Sequence, residues 1–108
     1  MTESRLDELL ARLKVLDPET WEDIYQMGFE DCHWPDYLIQ GVIQDAIAAD
    51  DRFLGFEIEF YSYFDVKYEA TIFWDGTGSI SQDGYGETAA EAILAAYIRS
   101  LEVDDQKK

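Results

Sequence analysis

Basic residues are scarce. The chain of 108 residues carries 8 lysines and arginines against 24 aspartates and glutamates, a formal net charge of -16. A polyanion of that strength repels phosphate backbones and anionic lipid, so direct binding to nucleic acid or to an acidic membrane surface is not expected. Cysteine is nearly absent: Cys32 stands alone, which excludes an intramolecular disulfide and the framework of a small secreted scaffold. The single histidine, His33, adjoins it, with Glu30, Asp31 and Asp36 nearby, but a structural zinc site draws on four ligands rich in Cys and His. Cys32 is therefore read as a core residue and His33 as part of the loop before Pro35. No apolar run reaches transmembrane length, and Met1 to Lys14 mixes acids and bases where a signal peptide has a basic region followed by an apolar one. These absences predict a soluble intracellular protein.

Catalytic and ligand-binding motifs are equally thin. Asp75, Thr77, Ser79, Ser81 and Asp83 alternate oxygen ligands as a calcium loop does, yet Ile80 stands where that loop needs glycine and Gly86 where it needs its bidentate glutamate. Gly76, Gly78, Gly84 and Gly86 lack the Lys-Ser/Thr ending of a phosphate loop and are read as turn residues. Glu57 and Glu59 share a strand face at ~6.6 Å, a spacing compatible with paired-carboxylate hydrolysis. No second polar cluster accompanies them, and the solvated face of an antiparallel sheet accounts for both. The chain is accordingly expected to be non-enzymatic, with no metal and no cofactor.

What is present is a core. Hydrophobic residues make up 47% and aromatics 15%, enough to fill one domain, expected over residues 1–103 with 104–108 fraying. Thr2 can cap a first helix with Leu6, Leu9, Leu10 and Leu13 along one stripe, ending near Leu16. Asp17-Pro18 restarts the chain as cap and first helical position of a short second helix, with Trp21, Ile24, Tyr25 and Gly28 on one side. After Trp34-Pro35 a third helix presents Leu38, Ile39, Val42, Ile43, Ala46 and Ile47, closed by Asp50-Asp51.

From Phe53 to Trp74 the period changes to two. Leu54, Phe56, Ile58 and Phe60 point one way and Glu57, Glu59, Tyr61 and Tyr63 the other; past Asp65, Tyr68, Ala70, Ile72 and Trp74 repeat the pattern with Glu69, Thr71 and Phe73 opposite. This predicts a hairpin with one buried face. Ser79 to Ser81 is read as a brief third, edge strand, and Gln82 to Glu87 as a loop. Thr88 and Glu91 form a capping box before a last helix carrying Ala90, Ile93, Leu94, Tyr97, Ile98 and Leu101. The expected fold is α+β: N-terminal helices, a three-stranded antiparallel meander, and a C-terminal helix packed on one sheet face.

The order of one helix, three strands and one helix from Leu38 to Leu101 resembles that of double-stranded-RNA-binding domains. Those place basic residues at the start of the last helix, where this chain has Glu87 and Glu91, so the resemblance implies a plan and not RNA binding. Gly86 to Ala96, Gly-Glu-Thr-Ala-Ala-Glu-Ala-Ile-Leu-Ala-Ala, looks like the closing helix of small phage proteins of the ABA-sandwich type. Size and acidity together resemble phage-encoded inhibitors that imitate nucleic acid, including anti-CRISPR and anti-restriction proteins. The resemblance implies a basic protein or ribonucleoprotein effector as partner, in the cytoplasm of a bacterial host. The binding residues expected from the pattern are Glu57, Glu59, Glu69, Tyr61, Tyr63 and Phe73 on the outer sheet face, with Asp50 and Asp51 at a helix C-terminus, where negative charge is mildly disfavoured. A toxin-neutralising immunity protein or a small phage structural or interaction protein is the alternative, and the same exposed aromatics would equally suit a homodimer interface.

Overall fold

In the computed structural model, which describes residues 5–28, 35–50, 53–60, 67–74 and 81–106, the first leucine stripe forms the inner side of α1 (Arg5–Leu16). Leu10 and Leu13 are buried, with Leu6 and Leu9 packed at the margin. The proposed cap Thr2 lies outside the described residues. The chain turns at Asp17, which takes an extended φ of -145° because the proline after it disfavours helical backbone. Its carboxylate accepts the Thr20 amide at 3.3 Å and so caps α2 (Pro18–Gln26), whose first residue is Pro18. Thr20 and Ile24 are buried, but Tyr25, expected on the inner side, is 52% exposed and stacks on Trp21 at 5.4 Å. The Lys14 ammonium covers the other ring of that pair, 4.5 Å from the Trp21 centroid. Gly28 adopts a φ of 82° just past the helix, a position that favours glycine.

Helix α3 (Pro35–Ala49) buries Ile39, Val42, Ile43 and Ile47 along the expected stripe. The sheet follows as β1 (Phe53–Phe60), β2 (Tyr68–Trp74) and β3 (Ser81–Gly86), antiparallel in the order β1-β2-β3. Ala70 and Ile72 are fully buried and Phe56 and Ile58 partly so, as the alternation requires. One irregularity alters the inner face. Phe53 pairs with Trp74 and Gly55 with Phe73, so Leu54 is an extra, bulged residue; Phe53 turns inward to meet Tyr97 edge-on, ring centroids 6.2 Å apart.

The third strand departs from expectation. It occupies Ser81–Gly86, so that Gln82 to Gly86, read from sequence as a loop, is strand; of the expected strand Ser79 to Ser81 only Ser81 is described. The reason is steric. A Cβ on Gly84 would collide with the Ala96 amide nitrogen and the Ala92 carbonyl oxygen and stand 2.8 Å from the Ala95 carbonyl carbon; one on Gly86 would stand 2.8 Å from the Ala92 nitrogen. These glycines serve backbone-to-backbone approach, not turns, and correct that reading of Gly84 and Gly86.

The partner in that approach is α4 (Ala89–Gln106), whose alanines at 92, 95 and 96 face the strand. Thr88 Oγ1 accepts the Glu91 amide at 3.1 Å, the N-cap half of the expected box. Every residue from Ala92 to Ile98 is buried, so α4 runs between the sheet and the helices α1 and α3. Each fully buried Ile or Leu along it contributes about 1.5–3 kcal/mol. The helix lies chiefly over β3 and β2, with β1 at its margin, and continues past residue 103. Arginines of α1 tie it down: Arg12 pairs with Glu102, while Arg5 pairs with Glu91 at 3.6 Å and donates to the Tyr85 carbonyl. The architecture is α+β, with the C-terminal helix packed on one sheet face.

Candidate functional site

The sheet face turned away from α4 presents odd-numbered residues in cross-strand rows. One row is Glu57, Thr71 and Asp83; the next is Glu59, Glu69 and Tyr85; Gly55 and Phe73 stand beside them. Glu57 and Glu59 are exposed, Glu69, Phe73 and Asp83 half-buried, and Tyr85 is 41% exposed. Glu59 and Glu69 are directly opposed, a like-charge pair that weakens the sheet in isolation. Hydrogen bonds organise the rest of the face. Thr71 Oγ1 donates to Asp83 Oδ1 at 2.9 Å. The Tyr85 hydroxyl donates to Glu69, and that bond with the nearby negative charge holds the phenol above its ordinary value. The residues placed on this face include no lysine or arginine among those described.

Of the residues expected to bind a partner, the structure brings Glu57, Glu59, Glu69 and Phe73 onto one face. Tyr61, Tyr63 and Asp51 lie outside the described residues. Asp50 is placed elsewhere, at the end of α3, where it lines a groove between α2 and α3. This groove has a volume of about 970 Å³. Its walls carry the carboxylates of Asp17, Glu19, Asp23, Asp45 and Asp50 around an apolar floor that includes Val42, Ala46 and Tyr97. Among the described residues lining it there is no basic side chain.

The floor is anchored by one carboxylate. Asp17 Oδ2 accepts the Tyr97 hydroxyl at 2.6 Å and the Thr20 hydroxyl at 2.6 Å, joining α2 to α4. Burial and then the bond to Asp17 push the Tyr97 phenol well above its ordinary value, so it stays a donor. From sequence, Asp17 is read as the cap of α2 and no more. Asp17 does cap that helix, but it also holds the core tyrosine, and Glu19 and Asp23 face the groove. The signal for this was Tyr97, a phenol on the buried stripe of α4 that required an acceptor.

No group of three or more His, Cys, Asp or Glu side chains among the described residues is placed to hold a metal ion, and no described helix is long and apolar enough to cross a membrane. The basic side chains of the described residues are largely engaged within the fold. Arg5 and Arg12 bind α4, Lys14 lies over Trp21, and Arg99 donates to the Asp83 carbonyl at 2.8 Å. No family model, curated protein or solved structure matches the chain.

Proposed function

We propose that the protein is a non-enzymatic acidic inhibitor that docks the outer face of its sheet on a basic, nucleic-acid-handling protein or ribonucleoprotein complex, such as a CRISPR effector or restriction enzyme, and occupies its phosphate-binding surface. The observation that carries this reading is the arrangement of Glu57, Glu59, Glu69 and Asp83 on one sheet face, while Arg5 and Arg99 are drawn into contacts with α4 and the edge of β3. Carboxylates two residues apart on a strand stand ~6.6 Å apart, and neighbouring strands ~4.8 Å. That grid is on the scale of two phosphate steps, each ~3.4 Å along a nucleic-acid strand. Tyr85 and Phe73 add aromatic contact area at the edge of the acidic patch. A net charge of -16 would steer a basic partner toward the face and make association salt-sensitive.

The test uses the immobilised chain, a bacterial lysate stripped of nucleic acid, and the charge-reversed variant E57K/E59K/E69K. Captured proteins should bind nucleic acid, lose that binding when the protein is added, and be released between 0.1 and 1 M salt as the screening length falls from about 10 to about 3 Å. Capture that resists salt, or that the variant retains in full, would refute the reading. A second reading, a toxin-neutralising immunity protein, is favoured by the α2–α3 groove, because a concave acidic site suits a single protruding basic element. Loss of capture on D23K/D45K, with E57K/E59K/E69K unaffected, would select it.

A further inference from the structure

The two edges of the sheet are finished differently. On β3 the carbonyls of Asp83 and Tyr85, two residues apart and so turned to the same side of the strand, accept hydrogen bonds from Arg99 and Arg5. Those guanidinium groups occupy the acceptors that another strand would use. Among the described residues, β1 pairs only with β2. An edge strand left this way offers a row of backbone groups to an incoming chain.

The side chains of β1 say what such a chain would look like. Toward α4 the strand presents Phe56 and Ile58, half-buried because the helix lies over β3 and β2, and Phe60, 59% exposed with its ring tilted against Tyr68 at 5.1 Å. Toward the outer face it presents Glu57 and Glu59, with Glu69 next to them on β2. A second copy of β1 added antiparallel about Ile58 would set Glu57 against Glu59 and Glu59 against Glu57, four carboxylates in two opposed pairs, a disfavoured arrangement. A strand with lysine or arginine at alternate positions and apolar residues between them satisfies both faces.

We propose that the edge of β1 accepts an extended segment of the partner by strand addition, a segment alternating basic with apolar residues. Such an occupant presupposes the basic partner proposed above and adds the way it is held. Backbone hydrogen bonds fix the register, Glu57 and Glu59 select the basic side chains, and Phe56, Ile58 and Phe60 receive the apolar ones. The strand is eight residues long, and its first amide, that of Phe53, already donates to the Asp50 carbonyl, so the pairing proposed here starts beyond the bulge, at Gly55.

The experiment is a titration of the isotope-labelled full chain, followed by backbone amide shifts, with synthetic peptides. The probes are Lys-Val repeated in strict alternation, the same composition in two blocks, and the alternating peptide N-methylated at every second amide. The alternating peptide should shift the amides of β1, and the block and N-methylated forms should bind at least about tenfold more weakly. E57K/E59K, changed at exposed positions and checked for an unaltered circular-dichroism spectrum, should lose the Lys-Val peptide and gain the Glu-Val one. Equal binding of the block or methylated peptide, shifts confined to the α2–α3 groove, or dimerisation of the free chain through β1 would overturn strand addition. So would an alternating peptide that fails to bind while the chain still captures basic proteins; in that case the sheet-face function stands and only the edge mode falls.

Discussion

Replacing Gly84 by alanine tests the packing on which the sheet face depends. The added Cβ would stand 2.8 Å from the Ala95 carbonyl carbon and closer still to the Ala96 nitrogen and Ala92 oxygen, all of them backbone of a helix buried on every side. Ordinary contact begins at 3.4 Å, so relief at Ala95 alone requires the helix to withdraw by about 0.6 Å. A gap of 0.5–1 Å forfeits roughly a quarter to a half of the dispersion well along the surfaces that separate. Overpacking of this kind costs about 1–3 kcal/mol where neighbours can yield, and a helix backbone yields less than a side chain, so about 3 kcal/mol or more is expected. At ~4–8 °C per kcal/mol for a small domain, the unfolding midpoint should fall by roughly 12–24 °C, read by circular dichroism on heating. Gly41→Ala provides the contrast. Nothing lies within 4 Å of its added Cβ, and in the interior of α3 the change should raise stability by about 0.5–1 kcal/mol. If G84A melted within ~3 °C of the parent, the close approach of β3 and α4 would not be what makes glycine necessary there.

Asp17→Ala removes a helix cap and leaves the buried Tyr97 and Thr20 hydroxyls without their acceptor, and should cost about 2–4 kcal/mol in urea unfolding; Tyr97→Phe, which leaves Asp17 with Thr20, should cost about 1–2. Because the folded state raises the Tyr97 value above the ordinary 10.0, its contribution is complete below pH 10 and declines as pH rises beyond it. Urea midpoints should therefore fall between pH 9 and 11.5, and fall less steeply in Tyr97→Phe. Glu59→Lys turns the opposed carboxylates at Glu59 and Glu69 into an attractive pair, so the free protein should gain about 0.2–1 kcal/mol while its capture of basic proteins weakens. A variant that lost both stability and binding would show that Glu59 serves the fold alone.

Local chemistry made much of this structure readable. Asp17-Pro18 encodes a joint that depends on nothing distant, and it appears with its cap intact. The stripe of α3, the Thr88 cap and the alternation of Phe56 to Phe60 against Tyr68 to Ile72 are likewise properties of short segments. What escaped was set by tertiary contact. Strand β3 has little apolar alternation because Gly84 and Gly86 meet a helix backbone where other strands offer side chains. The bulge at Leu54, which brings Phe53 inside, is invisible to a strict two-residue period. Tyr25 obeys the helical period of α2 yet lies outside, stacked on Trp21. For the candidate site, Glu57, Glu59, Glu69 and Phe73 followed from parity alone. The groove holding Asp50 did not, because it forms where the separate segments α2 and α3 pack beside Tyr97.

The position of α4 also has a temporal side. The helix that joins both layers of the core follows every other described element, and its tie between Arg12 and Glu102 spans 90 residues. At the usual ~5–20 residues per second of synthesis, about 5–18 s separate the emergence of α1 from that of its partner. Until α4 emerges, the faces of α1 and α3 that pack against it stay uncovered by it. Chains that stop short of α4 should therefore be held by chaperones and cut by proteases more readily than chains that include it.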